Sequence, residues 1–231
     1  MKIKALRFAF PHTLPIMAGF LFLGAAYGIY MNVSGFSFLY PFFMSFVIFG
    51  GSLEFVTAQM LLGPFAPVQT FFMALLIQAR HLFYGLSMLD KFKGLGAKKY
   101  YMIYAMCDES FSVNFSMDVP QDIDRGWAMF FVTLLNELYW VAGAVIGALA
   151  GSLITFDTSG IEFVMTAMFV VIFLDSFLKE KNHFSSILGL AAPALCLVIF
   201  GADSFMIPSM ALIILMLTIF KKPLERSVKE P

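Results

Sequence analysis

A chain of 231 residues that is 60% hydrophobic and only 13% charged, with a mean hydropathy of +0.85, lacks the polar cover that a soluble domain of this size needs. Fifteen basic and fifteen acidic residues cancel, which gives no argument for a nucleic-acid partner or a strongly acidic ligand. Cys107 and Cys196 both lie in apolar runs, so neither a disulfide framework nor a C-x-x-C metal site has support.

In chain order, Lys2, Lys4 and Arg7 precede an apolar stretch from Thr13. Signal peptides share that outline, but many further spans follow and Pro11 and Pro15 break its start, so the stretch is read as a first transmembrane helix. A helix needs roughly 20 apolar residues to cross the hydrocarbon core. The stretches that approach this are 13–31, 37–62, 67–89, 100–117, 127–150, 161–178, 184–200 and 204–220. They predict an all-α polytopic membrane protein, a single transmembrane domain over 1–231, with about seven to eight helices, some discontinuous or re-entrant. No internal repeat is visible in residue identity.

Basic clusters set the orientation. Lys2, Lys4 and Arg7 place the N-terminus in the cytoplasm, and Lys221, Lys222, Arg226 and Lys229 do the same for the C-terminus. An eight-span topology satisfies both, and it also puts Lys179 and Lys181 inside, but it leaves Lys91, Lys93, Lys98 and Lys99 outside. Agreement returns if one segment before that loop and one after it enter and leave on the same side. Residues 37–62, interrupted at Gly50-Gly51-Ser52, and residues 100–117, with Cys107-Asp108-Glu109 in mid-run, are the candidates, because irregular backbone at membrane depth must line a cavity or be buried in protein.

Ionisable residues inside spans need a partner, water or a ligand. Glu54, Arg80, His81, Asp108, Glu109, Glu137 and Asp175 are of this kind. Glu54 follows Gly50, Gly51 and Ser52, where a half-helix N-terminus would offer N–H groups to a substrate carboxylate; a close helix crossing with Glu54 in a salt bridge is the structural alternative. On a continuous helix over 67–89, Gln78 and His81 share one face and Arg80 and Tyr84 nearly the opposite one, so the helix sits at the centre of the bundle or unwinds there. Asp108 and Glu109 suit a proton-carrying or ammonium-binding site, or they neutralise Arg80 from a neighbouring helix. Asn136, Trp140, Gly143, Gly147 and Gly151 share a face of 127–150, with a weaker small-residue pair at Gly24 and Gly28. Such stripes let helices approach closely, within the chain or against a second subunit; Glu137, about 100° away, joins the polar interior. No H-E-x-x-H, G-x-S-x-G or phosphate-binding glycine loop occurs, and His12, His81 and His183 are scattered. No enzyme, metal or cofactor is therefore expected.

Gly50-Gly51-Ser52-Leu53-Glu54, Gln78-Ala79-Arg80-His81-Leu82-Phe83-Tyr84-Gly85 and Cys107-Asp108-Glu109-Ser110-Phe111, in this order, resemble the AzlC family. The resemblance runs from Phe10 and Pro15 through Gly24 and Gly28 to Gly160-Ile161-Glu162-Phe163. The family's third-span motif usually reads Asn-Leu-Arg-His, and its residue at the position of Glu54 is commonly Gln, so this chain carries an extra acid. The resemblance implies the large subunit of a bacterial branched-chain amino-acid exporter, working in the inner membrane with a small AzlD-type partner. The expected substrate is a small apolar amino acid, moved with the help of an ion or proton gradient. Arg80, or the break at Gly50-Gly51, would hold its carboxylate; Asp108, Glu109 or Glu54 would hold its ammonium or carry the coupling proton. Gln78, His81, Tyr84, Asn136 and Glu137 complete the candidate set. An uncoupled channel or a membrane-embedded scaffold is the alternative.

Overall fold

A computed structural model describes residues 2–153, 163, 167, 170, 173–174, 177–178, 183–201 and 205–220. Helices, turns and loops make up these residues, with no strand among them. The chain divides into two compact units, Met1–Met165 and Thr166–Pro231.

Two long helices frame the first unit. Helix α1 spans Lys2–Val33 and contains Pro11 and Pro15, so the prolines do not end it. The Thr13 hydroxyl donates to the Phe10 carbonyl at 3.0 Å between the two prolines. Helix α8 spans Arg125–Gly151, its start capped by Asp124, whose carboxylate accepts from the Trp127 N–H at 2.8 Å. These two are the helices among the described residues that are long and apolar enough to cross a bilayer without interruption.

They run parallel. Lys2 lies over the Trp127 ring at 4.4 Å, Gly24 faces Trp140 and Ala144, Gly28 faces Ala144 and Ala148, and Gly151 meets Asn32. A Cβ at Gly28 would fall 2.0 Å from the Ala144 carbonyl oxygen, and one at Gly147 would fall 2.0 Å from that of Ala25. The small-residue stripe is thus consumed by packing inside the chain. Lipid gives helices no hydrophobic reason to associate, so this backbone-to-backbone approach supplies the dispersion contact that holds the pair.

The stretch from 37 to 62 is a hairpin of α2 (Leu39–Val47) and α3 (Gly51–Leu62). It starts beside the C-terminal end of α1, where the Phe36 N–H donates to the Met31 carbonyl at 3.0 Å. At its tip Phe49 packs with Phe20 and Trp140, near the middle of the long helices. On the way back Phe55 meets Tyr27 and Tyr30, with ring centroids 5.2 and 5.7 Å apart. The tip is strained: Phe49 holds a φ of 41°, the positive-φ residue other than glycine among those described.

Residues 98 to 117 form a second hairpin from the opposite end, made of α6 (Lys98–Tyr104) and α7 (Asp108–Ser116). Lys98 pairs with Asp124 at 3.6 Å and Tyr101 packs on Phe130 at 5.0 Å; Ala105 reaches Trp140. On the return Ser110 bonds Asn136, Asn114 bonds Thr133, and Met117 joins a cluster around Met129. At about 1.5 Å per residue neither arm is long enough to cross a bilayer alone. The hairpin tips meet where the Tyr104 hydroxyl donates to the carbonyls of Phe46 and Val47, at 2.5 and 2.8 Å.

Between the hairpins, α4 (Pro67–Ile77) and α5 (Ala79–Met88) form one path interrupted at Gln78. The face assignments made for an unbroken helix over 67–89 therefore hold only from Ala79 onward. Lys2 and Lys98 both sit over Trp127, at 4.4 and 4.6 Å, and Lys4 pairs with Asp122 at 3.5 Å. The basic loop before α6 thus shares an end of the unit with the N-terminus, which removes the charge conflict that an eight-span reading creates.

In the second unit, α9 (Phe184–Phe200) and α10 (Met206–Ile219) pack antiparallel, with Phe184 and Phe220 5.3 Å apart. Gly201, at a φ of 75°, ends α9. The span expected over 161–178 lies mostly outside the described residues, as do Asp175 and the basic clusters at 179–181 and 221–229.

Candidate functional site

The breaks at Gly50, Gln78 and Cys107 converge. A Cβ at Gly50 would lie 2.2 Å from the Gln78 amide nitrogen, and one at Gly51 would lie 2.8 Å from the Trp140 ring. Arg80 Nη1 meets Asp108 Oδ2 at 2.7 Å, joining the start of α5 to the start of α7. Helices α3, α5 and α7 all begin here, so three positive dipole ends gather at the breaks.

Each start is finished differently. In α3, Glu54 folds back one turn: its Oε1 accepts from the Gly50 N–H at 3.0 Å, and its two oxygens accept from the Trp140 indole N–H at 3.0 and 3.1 Å. The side chain is fully buried, beside the buried Ser52. Trp140 takes the place of the cation that a salt bridge would have provided, and the Gly50 N–H is already in use. In α7, Cys107 Sγ accepts from the Ser110 N–H at 3.4 Å, and Asp108 and Glu109 occupy the first turn, where acids are favoured. At α5, Gln78 makes no side-chain cap. Arg80 Nε, His81 Nδ1 and Asp108 Oδ1 have no partner. About a third of the Arg80 and Asp108 side chains is exposed, 38% and 36%, so this pair, unlike Glu54, is open to a ligand. Tyr84 stands beside it, stacked on Phe111 at 4.5 Å and edge-on to His81 at 5.5 Å.

A second polar group lines α8 just below. The Tyr101 hydroxyl donates to Glu137 Oε2. The Asn136 amide donates to Ser110 Oγ and the Asn114 amide to Thr133 Oγ1, both at 3.1 Å. Sequence reasoning singled out Asn136, Glu137 and Trp140 but passed over Tyr101, Asn114 and Thr133. The available signal was the polar spacing: Ser110 and Asn114 lie four apart, and Thr133 and Asn136 three apart, in otherwise apolar runs.

Around the breaks, Glu54, Asp108, Glu109 and Glu137 accompany Arg80 and His81, and the ion pair recorded among these residues is that of Arg80 with Asp108. A groove of about 420 Å³ between α3 and α4, lined by Thr57, Met60, Phe65, Thr70, Phe71 and Ala74 among others, reaches from the outer end of the first hairpin to within a turn of Glu54 and Gln78.

Residues 15–154 match the family model described as AzlC protein. The chain is 56% identical, over 96% of its own length and 88% of the relative's, to the branched-chain amino acid transport protein AzlC of Bacillus subtilis. It is 46% identical, over 98% and 93%, to an uncharacterized membrane protein of Haemophilus influenzae. It is 26% identical, over 74% and 72%, to the inner membrane protein YgaZ of Escherichia coli. No solved structure matches. The three motifs that meet at the broken helices lie inside the matched region, and the chain belongs to the AzlC family of membrane proteins.

Proposed function

We propose that the chain is a transporter that exports small apolar amino acids, branched-chain-like in shape, across a bacterial inner membrane, driven by an ion or proton gradient and working with a small AzlD-type subunit. The name of the Bacillus subtilis relative supports a transport role. The observation that carries the reading is the convergence of three broken helices on an ion pair, Arg80 with Asp108, that is partly open.

A zwitterion fits the pair because each of its charges replaces one partner. The substrate carboxylate takes the place of Asp108 on the Arg80 guanidinium, whose planar fork suits a carboxylate, while Asp108 and Glu109 receive the ammonium. Glu54 is held by Trp140 and the Gly50 N–H and orders the α3 break rather than meeting substrate. Phe111, Tyr84 and the groove between α3 and α4 supply apolar surface for the side chain. In the membrane, α1, α4–α5 and α8 cross, and the two hairpins enter from opposite faces. The N-terminus and the Lys91–Lys99 loop are then both cytoplasmic, as the positive-inside rule asks.

Sealed vesicles loaded with the purified chain, alone and with the small subunit, test the reading. Uphill movement of leucine or valine that collapses when an ionophore dissipates the gradient supports it. Flux that only runs downhill at the same rate with and without ionophore rejects coupling and leaves a channel.

A further inference from the structure

Asn114, Asn136 and Glu137 are buried, at 5%, 0% and 1% exposure, and each keeps one oxygen without a partner: Oδ1 of both asparagines and Oε1 of the glutamate. The donors seen to bond nearby point elsewhere. Both amide groups point at hydroxyls, Thr133 Oγ1 and Ser110 Oγ. The Thr133 hydroxyl donates to the Met129 carbonyl at 3.1 Å, and Tyr101 donates to the other oxygen of Glu137.

These groups are neighbours by construction. Ser110 and Asn114 lie one turn apart on α7; Thr133, Asn136 and Glu137 fall within about one turn of α8, which α7 meets antiparallel, rung against rung. Buried acceptors without partners are costly unless something positive or something that donates sits among them. One carboxylate and neutral amide and hydroxyl oxygens make a hard, singly charged donor set. Divalent ions draw on more carboxylates than one, and no group of three His, Cys, Asp or Glu side chains suited to a transition metal occurs among the described residues.

We infer that the oxygens of Asn114, Asn136 and Glu137, with the Thr133 and Ser110 hydroxyls, form a site for a desolvated sodium ion between the second hairpin and α8. Asp108 and Glu109 in the first turn of α7 offset the positive end of that helix. Naming this the coupling ion rests on the transport reading; the binding itself does not. Because α7 carries both Asp108 and Asn114, an ion at this site steadies the hairpin arm that holds one half of the Arg80 pair.

The test is the thermal unfolding of the full chain in lipid nanodiscs, followed by tryptophan fluorescence, with sodium chloride exchanged for potassium or choline chloride at constant ionic strength. Sodium, bound only by the folded form, raises the midpoint by several degrees in a saturable way. Asn114→Ala and Asn136→Ala lose this increment, read as the difference between salts within each variant, whereas Asn32→Ala at the far end of α1 keeps it. Equal midpoints in sodium and choline for the unmodified chain overturn the site and leave a water-filled patch, and the unmodified chain decides the point should a variant not fold. An increment that survives both asparagine substitutions also overturns it. No substrate is present in this test, so an unmodified chain that shows no sodium increment yet exports uphill overturns the site alone, and one that shows the increment without export overturns the transport reading alone.

Discussion

Helices α1 and α8 and the broken helices between them answer the same demand in opposite ways. The long pair runs unbroken, although Pro11 and Pro15 of α1 donate no N–H, and it spends its glycines on contact: Gly28 and Gly147 leave no room for a Cβ. The broken segments end their helices at depth, collect charged side chains there, and leave Arg80 Nε, His81 Nδ1 and Asp108 Oδ1 without partners. On the transport reading the unbroken pair is the frame and the broken segments the path, because backbone broken inside a bilayer survives only where protein or a filled cavity covers it. Asn136 Oδ1 and Glu137 Oε1 of α8 lack partners too, and both residues lie where α8 meets the second hairpin.

That contrast can be attacked at several points. Gly147→Leu should have the largest effect, because its Cβ runs into the Ala25 carbonyl, which is backbone and cannot swing aside. Overpacking a core costs about 1–3 kcal/mol where side chains can yield; here the chain should fail to accumulate in the membrane, and normal accumulation by detergent-extracted size-exclusion would mean that α1 and α8 do not touch at this position. Glu54→Gln comes next. It replaces an acceptor facing the Gly50 N–H by a group that can only partly serve, and transport should fall roughly tenfold, about 1.4 kcal/mol, with a change in Trp140 emission. An unchanged rate and spectrum would remove Glu54 from the α3 break.

Gly50→Ala should be milder, roughly a threefold loss of transport, about 0.65 kcal/mol, because the obstacle is the mobile end of Gln78. A loss as large as that of Gly147→Leu would show the hairpin tip to be as rigid as the frame. Asp124→Ala removes the α8 cap and should lower thermal stability by about 1 kcal/mol while leaving transport within twofold. A transport defect greater than its stability loss would make this end of α8 part of the path.

Much of this division can be read in the chain itself. Glycines four apart at 143, 147 and 151 announce close packing, and Gly50-Gly51, Arg80-His81 and Asp108-Glu109 mark the breaks, because small or charged residues in apolar runs have few other uses. Helix direction could not be read in the same way. Residues 37–62 and 100–117 have the length of crossings; the basic clusters single them out as segments that enter and leave on one side, but nothing local says that Phe55 meets Tyr27 and Tyr30 or that Asn114 meets Thr133. Glu54 looked like a group awaiting a cation or a substrate because Trp140, 86 residues away in sequence, cannot be paired with it from spacing. The Asn114–Thr133 rung was missed for the same reason.

The central claim is that the Arg80–Asp108 pair is opened by substrate. The most direct measurement is leucine export from sealed vesicles by Arg80→Ala and Arg80→Lys at matched insertion. Export should fall at least a hundredfold in the alanine variant, about 2.7 kcal/mol, and be recovered only in part by lysine, which keeps the charge but not the fork. Export by Arg80→Ala within threefold of the unmodified chain would contradict the account.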